Sequence, residues 1–203
     1  MKKCPKCGSS RVAMILRGMP AFDEEMERQL KNEELYLGGC CVSDWAPEYH
    51  CFACGKDVGS PPIFLSKLGT EDYRDVVTSI RFLDGGFFDG SDEVIIKKTD
   101  DGAFADIRPN LVKGYNGAQK NLSEKEWKML LNSLYCKLYV HEWNKHYRPD
   151  GIVLDGEQWE LKITLTGRRV RCYKGDNAFP PYWKELLKIF QPFFDKREPI
   201  RDK

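Results

Sequence analysis

Apolar and polar residues alternate strictly along residues 159–165, which read Trp-Glu-Leu-Lys-Ile-Thr-Leu. This period of two predicts a β-strand with one buried face. Thr166-Gly167 predicts a turn, after which residues 168–174 return as an antiparallel strand. The predicted register of this hairpin places Leu161 opposite Cys172.

The polar face of this hairpin holds candidate binding residues. In the predicted register that face carries Lys162, Arg169, Arg171 and Tyr173. Cations beside an aromatic ring could follow a phosphate backbone. A solvated sheet face with an ion pair between Glu160 and an arginine explains the same pattern, and we favour it because such surface pairs are common.

A second hairpin is predicted around Thr99-Asp-Asp-Gly102, between two strand-like segments. Asp-Gly is a strong turn signal between antiparallel strands. With Asp101-Gly102 as the turn residues, Ile96 lies opposite Ile107. Residues 76–83 predict a further strand before this hairpin.

Two segments have the spacing of amphipathic helices. Residues 123–147 begin with Ser123 and Glu126, the residue types of a capping box. The apolar stripe that follows consists of Trp127, Leu130, Leu131, Leu134 and Leu138. A second helix is predicted from Trp183 onward.

The cysteines contain a repeated motif, because Cys4-Pro-Lys-Cys7-Gly8 and Cys51-Phe-Ala-Cys54-Gly55 are both C-x-x-C-G. Each copy can form a knuckle, in which the glycine permits the positive φ of a tight turn. Two knuckles supply four sulfurs in a tetrahedron, the closed geometry of structural Zn²⁺. The long loop between them costs roughly 1 kcal/mol more than a short one, against about 10–16 kcal/mol from zinc binding. Iron in a rubredoxin-like site satisfies the same ligands.

The other cysteines are not expected to bind the metal. Cys40 and Cys41 are adjacent, so at most one could face the ion from a strand. We expect both, and also Cys136 and Cys172, to be small buried thiols. His50 precedes a knuckle and is a candidate substitute ligand, but a half-exposed strand residue is the simpler interpretation.

The N-terminal motifs resemble a known family. CPKCGS, the insert RGMPAFDEEMERQLKNEELYLGGCCVSD and YHCFACGKD are similar to a bacterial zinc-ribbon module of otherwise uncharacterised proteins. The resemblance covers roughly residues 1–58 and implies no activity, because such ribbons bind nucleic acid, bind protein or only support a fold. The ligands that it implies are Cys4, Cys7, Cys51 and Cys54.

A second, shorter resemblance lies near the C-terminal hairpin. The order DG-x-QW-x-L-x-I followed by G-x-NAFP is similar to segments of uncharacterised bacterial proteins. It carries no assigned chemistry. It implies only that Asp155, Trp159 and Asn177 lie near one another.

Chain breakers at Gly59-Ser-Pro-Pro62 mark the best domain boundary. We predict a zinc-ribbon domain over residues 1–60, a linker over 61–75 and an α+β domain over 76–203. The predicted strands come in hairpins, and a hairpin separates the two helices. The second domain should therefore be an antiparallel sheet of about five strands with two packed helices.

Net charge and the distribution of apolar residues limit which binding partners and which cellular compartment we expect for the protein. The net charge of +1 gives no bulk attraction to nucleic acid or membranes, so only a local basic patch could supply it. The N-terminus MKKCPKCGSS lacks the apolar core of a signal peptide, and no segment could span a bilayer. We expect a cytoplasmic protein whose thiols stay reduced and which has no membrane partner.

The leading hypothesis is a noncatalytic binding or adaptor protein that recognises nucleic acid or a protein. The chain has no nucleophile elbow or phosphate loop, and His141 and His146 would diverge on a helix. The alternative is a small metal-dependent hydrolase or nuclease-like enzyme in the C-terminal domain, with a Mg²⁺ site formed by Asp155, Glu157 and Glu160. A third hypothesis gives the ribbon alone a function, as a folding clip.

Overall fold

The computed structural model describes residues 1–66, 69–86, 88, 90–151 and 156–200. In chain order the strands are β1 (Val12–Leu16), β2 (Leu35–Leu37), β3 (Tyr49–Cys51), β4 (Lys56–Val58), β5 (Ile63–Ser66), β6 (Gly69–Asp72), β7 (Val77–Gly86), β8 (Gly90–Thr99), β9 (Gly102–Ile107), β10 (Ala118–Ser123), β11 (His146–Tyr147), β12 (Glu157–Leu165) and β13 (Val170–Asp176). The α-helices are α1 (Glu24–Lys31), α2 (Tyr73–Val76), α3 (Glu124–Asn132) and α4 (Trp183–Phe194).

The first four strands form an N-terminal sheet in the order β2–β1–β3–β4. Strand β1 runs parallel to β2 and antiparallel to β3, which places Val12 beside Cys51. Helix α1 connects β1 to β2 and begins after Asp23, whose carboxylate accepts a hydrogen bond from the Met26 amide at 2.7 Å. This pairing brings the start of the chain next to the second knuckle.

Within the described residues, a large sheet of seven strands has the order β10–β9–β8–β7–β12–β13–β11. Its neighbours are antiparallel except for β11, which runs parallel to β13. The α+β fold class is therefore confirmed, with more strands than the five expected. The added strands are β10 at one edge and β11 at the other.

Helices α3 and α4 pack on one face of the large sheet. Phe82 of β7 stacks on Phe190 of α4 with ring centroids 4.4 Å apart, and Trp127 of α3 is buried in the same core. We call this the helix face. The opposite, open face carries the alternate side chains, among them Arg81, Glu93, Glu160, Lys162 and Lys174.

The segment expected to be a linker is folded. Strands β5 and β6 pair with each other, and α2 follows them directly. Phe64 and Tyr73 are buried in the core of the large sheet. Residues 63–66 and 69–75 thus contribute to the second unit, while the domain boundaries themselves stay a prediction.

The long helix expected over residues 123–147 is interrupted. Its start is confirmed, because Ser123 and Glu126 form the capping box in front of α3. After α3 the chain passes through a π-helical turn at Ser133–Lys137 and then Tyr139, whose φ of 53° is left-handed. A local hydrogen bond spans the break, since the Trp143 indole donates to the Leu138 carbonyl at 2.8 Å. No helix in the described part of the chain is long and apolar enough to cross a bilayer.

The β12–β13 hairpin has a register one residue away from the prediction. Leu161 pairs with Tyr173 rather than with Cys172. The cause is the connection, a 3₁₀ turn at Thr166–Arg168 in which Gly167 and Arg168 both have positive φ. A shift of one residue moves every β13 side chain to the other face of the sheet.

The β8–β9 hairpin is also shifted, but without changing faces. Thr99 pairs with Gly102, so Asp100 and Asp101 form the turn and Ile96 lies opposite Ala105 instead of Ile107. The shift is two residues, which preserves the alternation between faces. The buried side of both strands is therefore as expected.

Gly102 has φ +147°, and a Cβ there would overlap the Leu122 carbonyl oxygen of β10. Gly151 has φ +134° and no atom of the described residues within 4 Å of such a Cβ. We expect Gly102→Ala to lower the free energy of unfolding by about 2 kcal/mol more than Gly151→Ala, because only the first adds a steric overlap. Urea unfolding of both variants measures this, and equal losses would contradict the close approach of β10.

Candidate functional site

The four predicted ligands converge on one point. The Sγ atoms of Cys4, Cys7, Cys51 and Cys54 all lie within 4.8 Å of one another. Cys4 and Cys54 have sulfurs 3.9 Å apart, and Cys7 and Cys51 have sulfurs 3.6 Å apart. A tetrahedral ion with metal–sulfur bonds of about 2.3 Å requires sulfur separations of about 3.8 Å. The four cysteines therefore fit a metal ion.

Both knuckles have the backbone that their glycines predict. Gly8 and Gly55 have φ of 78° and 66°. In each knuckle the glycine amide donates to the carbonyl of the first cysteine, at 2.9 Å for Cys4 and 2.8 Å for Cys51. The Lys6 amide also approaches the Cys4 sulfur at 3.4 Å. The two turns are thus local structures that pre-position their sulfurs.

The electrostatics of the cluster favour a bound cation. Burial raises the pKa of the Cys4 thiol to about 12, and burial also raises the pKa of Cys7. Against the same desolvation, hydrogen bonds from the Cys54 and Ala53 amides leave the pKa of Cys51 lowered. Four clustered thiolates, of which Cys4 and Cys51 are buried, need a compensating positive charge, and a divalent ion would supply it.

The expectation for the remaining cysteines was wrong. Cys40, Cys41 and Cys136 are exposed, and Cys172 is only half-buried. Strand β2 ends at Leu37, so the Gly-Gly-Cys-Cys segment lies beyond the sheet that would have buried it.

His50 is not part of the cluster of sulfurs. Its Nδ1 lies 2.7 Å from the Asp57 carboxylate, and its ring stacks on Tyr36 at 3.7 Å. The structural interpretation of His50 is therefore the better one.

Hydrogen bonds attach the N-terminal lobe to the second unit. The Glu142 carboxylate accepts from the amides of Gly59 and Ser60 at 2.7 and 2.8 Å. The Tyr182 hydroxyl, just before α4, donates to the Lys3 carbonyl at 2.6 Å. The metal cluster thus sits on a lobe held at both ends.

The candidate binding residues of the β12–β13 hairpin do not share one face. Lys162 is exposed on the open face, whereas Arg171 and Tyr173 belong to the helix face. Arg169 precedes β13, and its guanidinium binds the Glu71 carboxylate at 2.7 Å. The prediction that these residues share one face was wrong because the hairpin register differs by one residue, whereas their role in binding stays a prediction.

Two of the three residues linked by the second resemblance meet at the end of this hairpin. The Trp159 indole donates to the Ala178 carbonyl at 2.9 Å, and the Asn177 side chain accepts from the Glu157 amide at 2.9 Å. Asp155 lies outside the described residues. Trp159 and Asn177 hold adjacent backbone groups, which is a structural role.

The carboxylates proposed for a hydrolase do not form a site among the described residues. Glu157 and Glu160 have opposite parity on β12, so their side chains lie on opposite faces of the sheet. The Glu160 carboxylate is also bound by the Arg81 guanidinium at 2.5 Å. Over the described ranges, the four cysteines are the only group of three or more metal-ligating side chains within reach of one ion.

A cavity of about 570 Å³ lies at the edge of the large sheet, where β13 meets β11. We call it the edge cavity. Its walls are Ile63, Phe64, His141, Trp143, Lys145, His146, Val170, Arg171, Cys172, Tyr173 and Lys174. Among the residues that the structure describes, these include five basic or imidazole side chains and no carboxylate. The cavity therefore has a positive potential at its mouth.

A neighbouring cavity of about 630 Å³ lies beside β12 and β13, and we call it the face cavity. It shares His146 and Lys174 with the edge cavity and adds Arg81 and Arg148. Its two carboxylates, Glu160 and Asp176, already accept hydrogen bonds, from Arg81 at 2.5 Å and from Asn177 at 2.8 Å. The basic character of this edge thus continues past β13.

Sequence reasoning missed most residues of both cavities. Lys145 and His146 were expected to lie in a helix. In the structure Lys145 precedes the edge strand β11, and His146 is its first residue. One signal was available, since Pro149 restricts Arg148 to extended conformations and ends a helix nearby. No pattern in the sequence indicated that the chain leaves the helix as early as Tyr139.

A buried acid at the end of the large sheet was also missed. Asp84 of β7 lies opposite Asp92 of β8, and one of its carboxylate oxygens is buried without a hydrogen-bond partner among the described residues. Burial, together with the charges of Glu157 and Asp92, raises the pKa of Asp84 to about 6. Asp92 itself binds Asn110 at 3.0 Å and Arg197 at 2.7 Å, so it is compensated.

Comparisons of the chain with protein-family models, with curated proteins and with solved structures found no match. The assignment of the metal cluster therefore depends on its own geometry.

Cys51→Ser should abolish tight metal binding, because it removes one of the two buried sulfurs from a cluster of four. We expect bound metal to fall from about one ion per chain to almost none, with a lower melting temperature. Elemental analysis and thermal unfolding measure both. Cys41→Ser is the matched control, since Cys41 is exposed and outside the cluster. Full metal content in the Cys51 variant would contradict the site.

Asp84→Asn should stabilise the protein at neutral pH. Because the pKa of Asp84 is raised, the native state prefers the protonated carboxyl. The stability that this protonated carboxyl contributes is fully present below about pH 4 and is lost as the pH rises through about 6. Allowing for solvent screening, we expect a gain of about 1 kcal/mol at pH 7 and none at pH 4. Denaturant unfolding across this range measures it, with Asp75→Asn as an exposed control. A gain independent of pH would contradict the assignment.

Proposed function

We propose that this protein is a noncatalytic binding protein in which a Zn²⁺ ion held by four cysteines stabilises the N-terminal lobe and the basic edge of the large sheet binds nucleic acid. Support for zinc comes from the donor set, four sulfurs with no open position, which is the geometry of structural sites. A rubredoxin-like iron site has the same ligands, and elemental analysis distinguishes the two. The proposal places the protein in the cytoplasm, where thiols stay reduced.

The edge cavity is the observation that carries the proposal for nucleic acid. Lys145, Arg171 and Lys174 line it, and none of them forms an ion pair with a described carboxylate. Two other basic side chains near the hairpin are compensated, since Arg81 pairs with Glu93 and Glu160 and Arg169 pairs with Glu71. Uncompensated cations at one place are what a phosphate backbone requires.

A local patch of this kind is compatible with the overall charge. The net charge of +1 provides no general attraction to polyanions. Binding would therefore depend on a few residues rather than on the whole surface, and single substitutions should have large effects. A protein partner would instead use the open face, where cations and anions alternate.

The salt dependence of binding tests the proposal. Wild-type affinity for a labelled oligonucleotide should fall steeply between low and moderate salt. Lys174→Gln should weaken binding about tenfold at low salt and reduce the slope of log affinity against log salt by about 0.7 to 0.9, because one phosphate contact is lost. Lys97→Gln is the matched control, since Lys97 is exposed on β8 and lines neither cavity.

Fluorescence anisotropy with the metal-loaded chain gives these values. Negligible binding at low salt would refute the nucleic-acid proposal and leave a protein partner. Equal effects of the two lysine substitutions would show that binding is not located at the sheet edge.

A further inference from the structure

The edge cavity has a basic rim and an apolar interior. Lys145, Arg171 and Lys174 are exposed at the rim. The rings of Phe64, Trp143 and Tyr173 are buried and form inner walls of the cavity, with Trp143 and Tyr173 edge to face at 6.2 Å. Ile63 and Val170 are 36% and 46% exposed and extend the apolar surface outward.

Such a cavity distinguishes between paired and unpaired nucleic acid. A duplex keeps its bases stacked inside and presents phosphates on a convex surface, so it can touch the rim but cannot fill the interior. An unpaired base can leave the strand and bury its ring against apolar side chains. The volume of about 570 Å³ lies within the range of cavities that enclose small molecules.

Tyr173 adds a polar group to this interior. Among the described residues nothing hydrogen-bonds to its hydroxyl, although the rest of the side chain is buried. A phenol can donate and accept one hydrogen bond each, and the edges of all bases offer partners for both. The hydroxyl is not sealed from solvent, so a ligand base in the cavity could bond to a group that has no hydrogen-bond partner among the described residues.

We infer that the edge cavity selects single-stranded over double-stranded nucleic acid, by taking one unpaired base into its interior while Lys145, Arg171 and Lys174 contact the flanking phosphates. This inference rests on the proposed function and narrows its ligand. The Tyr173 ring packs against the base, and its hydroxyl bonds to the edge of the base.

The test compares three labelled probes of equal length on the metal-loaded full chain: a single strand, the same strand annealed to its complement, and a strand with abasic sites. We expect the single strand to bind about tenfold more tightly than either of the others, because only it can bury a base. Tyr173→Phe keeps the ring and should weaken single-strand binding about fivefold, without changing duplex binding or the melting temperature. Lys162→Gln, outside both cavities, is the control and should change nothing.

The outcomes separate this inference from the function on which it rests. Equal, salt-dependent binding of the single strand and the duplex would overturn the inference and leave the proposed function in place. Failure of all three probes to bind at low salt would refute both. An abasic strand that binds as tightly as the normal strand would also overturn the inference, because the rim alone would then account for the affinity.

Discussion

The parity of side chains along β13 determines which residues line the edge cavity. Hydrogen bonds to β12 fix its register, and that register follows from a connection in which Gly167 and Arg168 are both left-handed. With this register Tyr173 is buried on the helix face and Arg171 lies beside it at the sheet edge. A connection shorter by one residue would turn both outward and leave the edge cavity without its aromatic wall. The cavity thus depends on backbone conformation several residues away from it.

The N-terminal lobe depends on a different constraint. Its core is small, consisting of Cys4, Cys51 and Val58 with a few partly buried neighbours, so apolar burial alone would hardly fold it. A metal ion held by the four sulfurs would supply the missing stability. The lobe is then joined to the second unit by Glu142, whose carboxylate bonds to the chain just after the second knuckle. Metal binding and the attachment of the two units are therefore adjacent in the fold.

The cysteine cluster could be predicted from the sequence because short local motifs determine it. The two cavities could not, because they depend on contacts between segments that are distant in the sequence. The C-x-x-C-G spacing determines the knuckle turns, so the ligands followed from residue types alone. The α+β class and five of the strands followed from hydrophobic alternation. Strand β10 was missed because it is mostly polar and buries little besides Leu122, and β11 because it is only two residues long. Just after the break at Tyr139, Glu142 accepts hydrogen bonds from the amides of Gly59 and Ser60, and no local pattern encodes such contacts.

His146 and Lys174 line both cavities and face each other across β11 and β13. The Lys174 ammonium thus contributes to the electrostatic potential of both cavities. An anion bound in either cavity would partly neutralise the Lys174 ammonium and so weaken the binding of a second anion in the other cavity. By thermodynamic reciprocity, each anion lowers the affinity for the other by the same factor. Neighbouring phosphates of one continuous strand would be spared much of that penalty, because their shared backbone already holds them close together. If the two cavities bind phosphates as proposed, the arrangement would favour one long polyanion over two separate small ones.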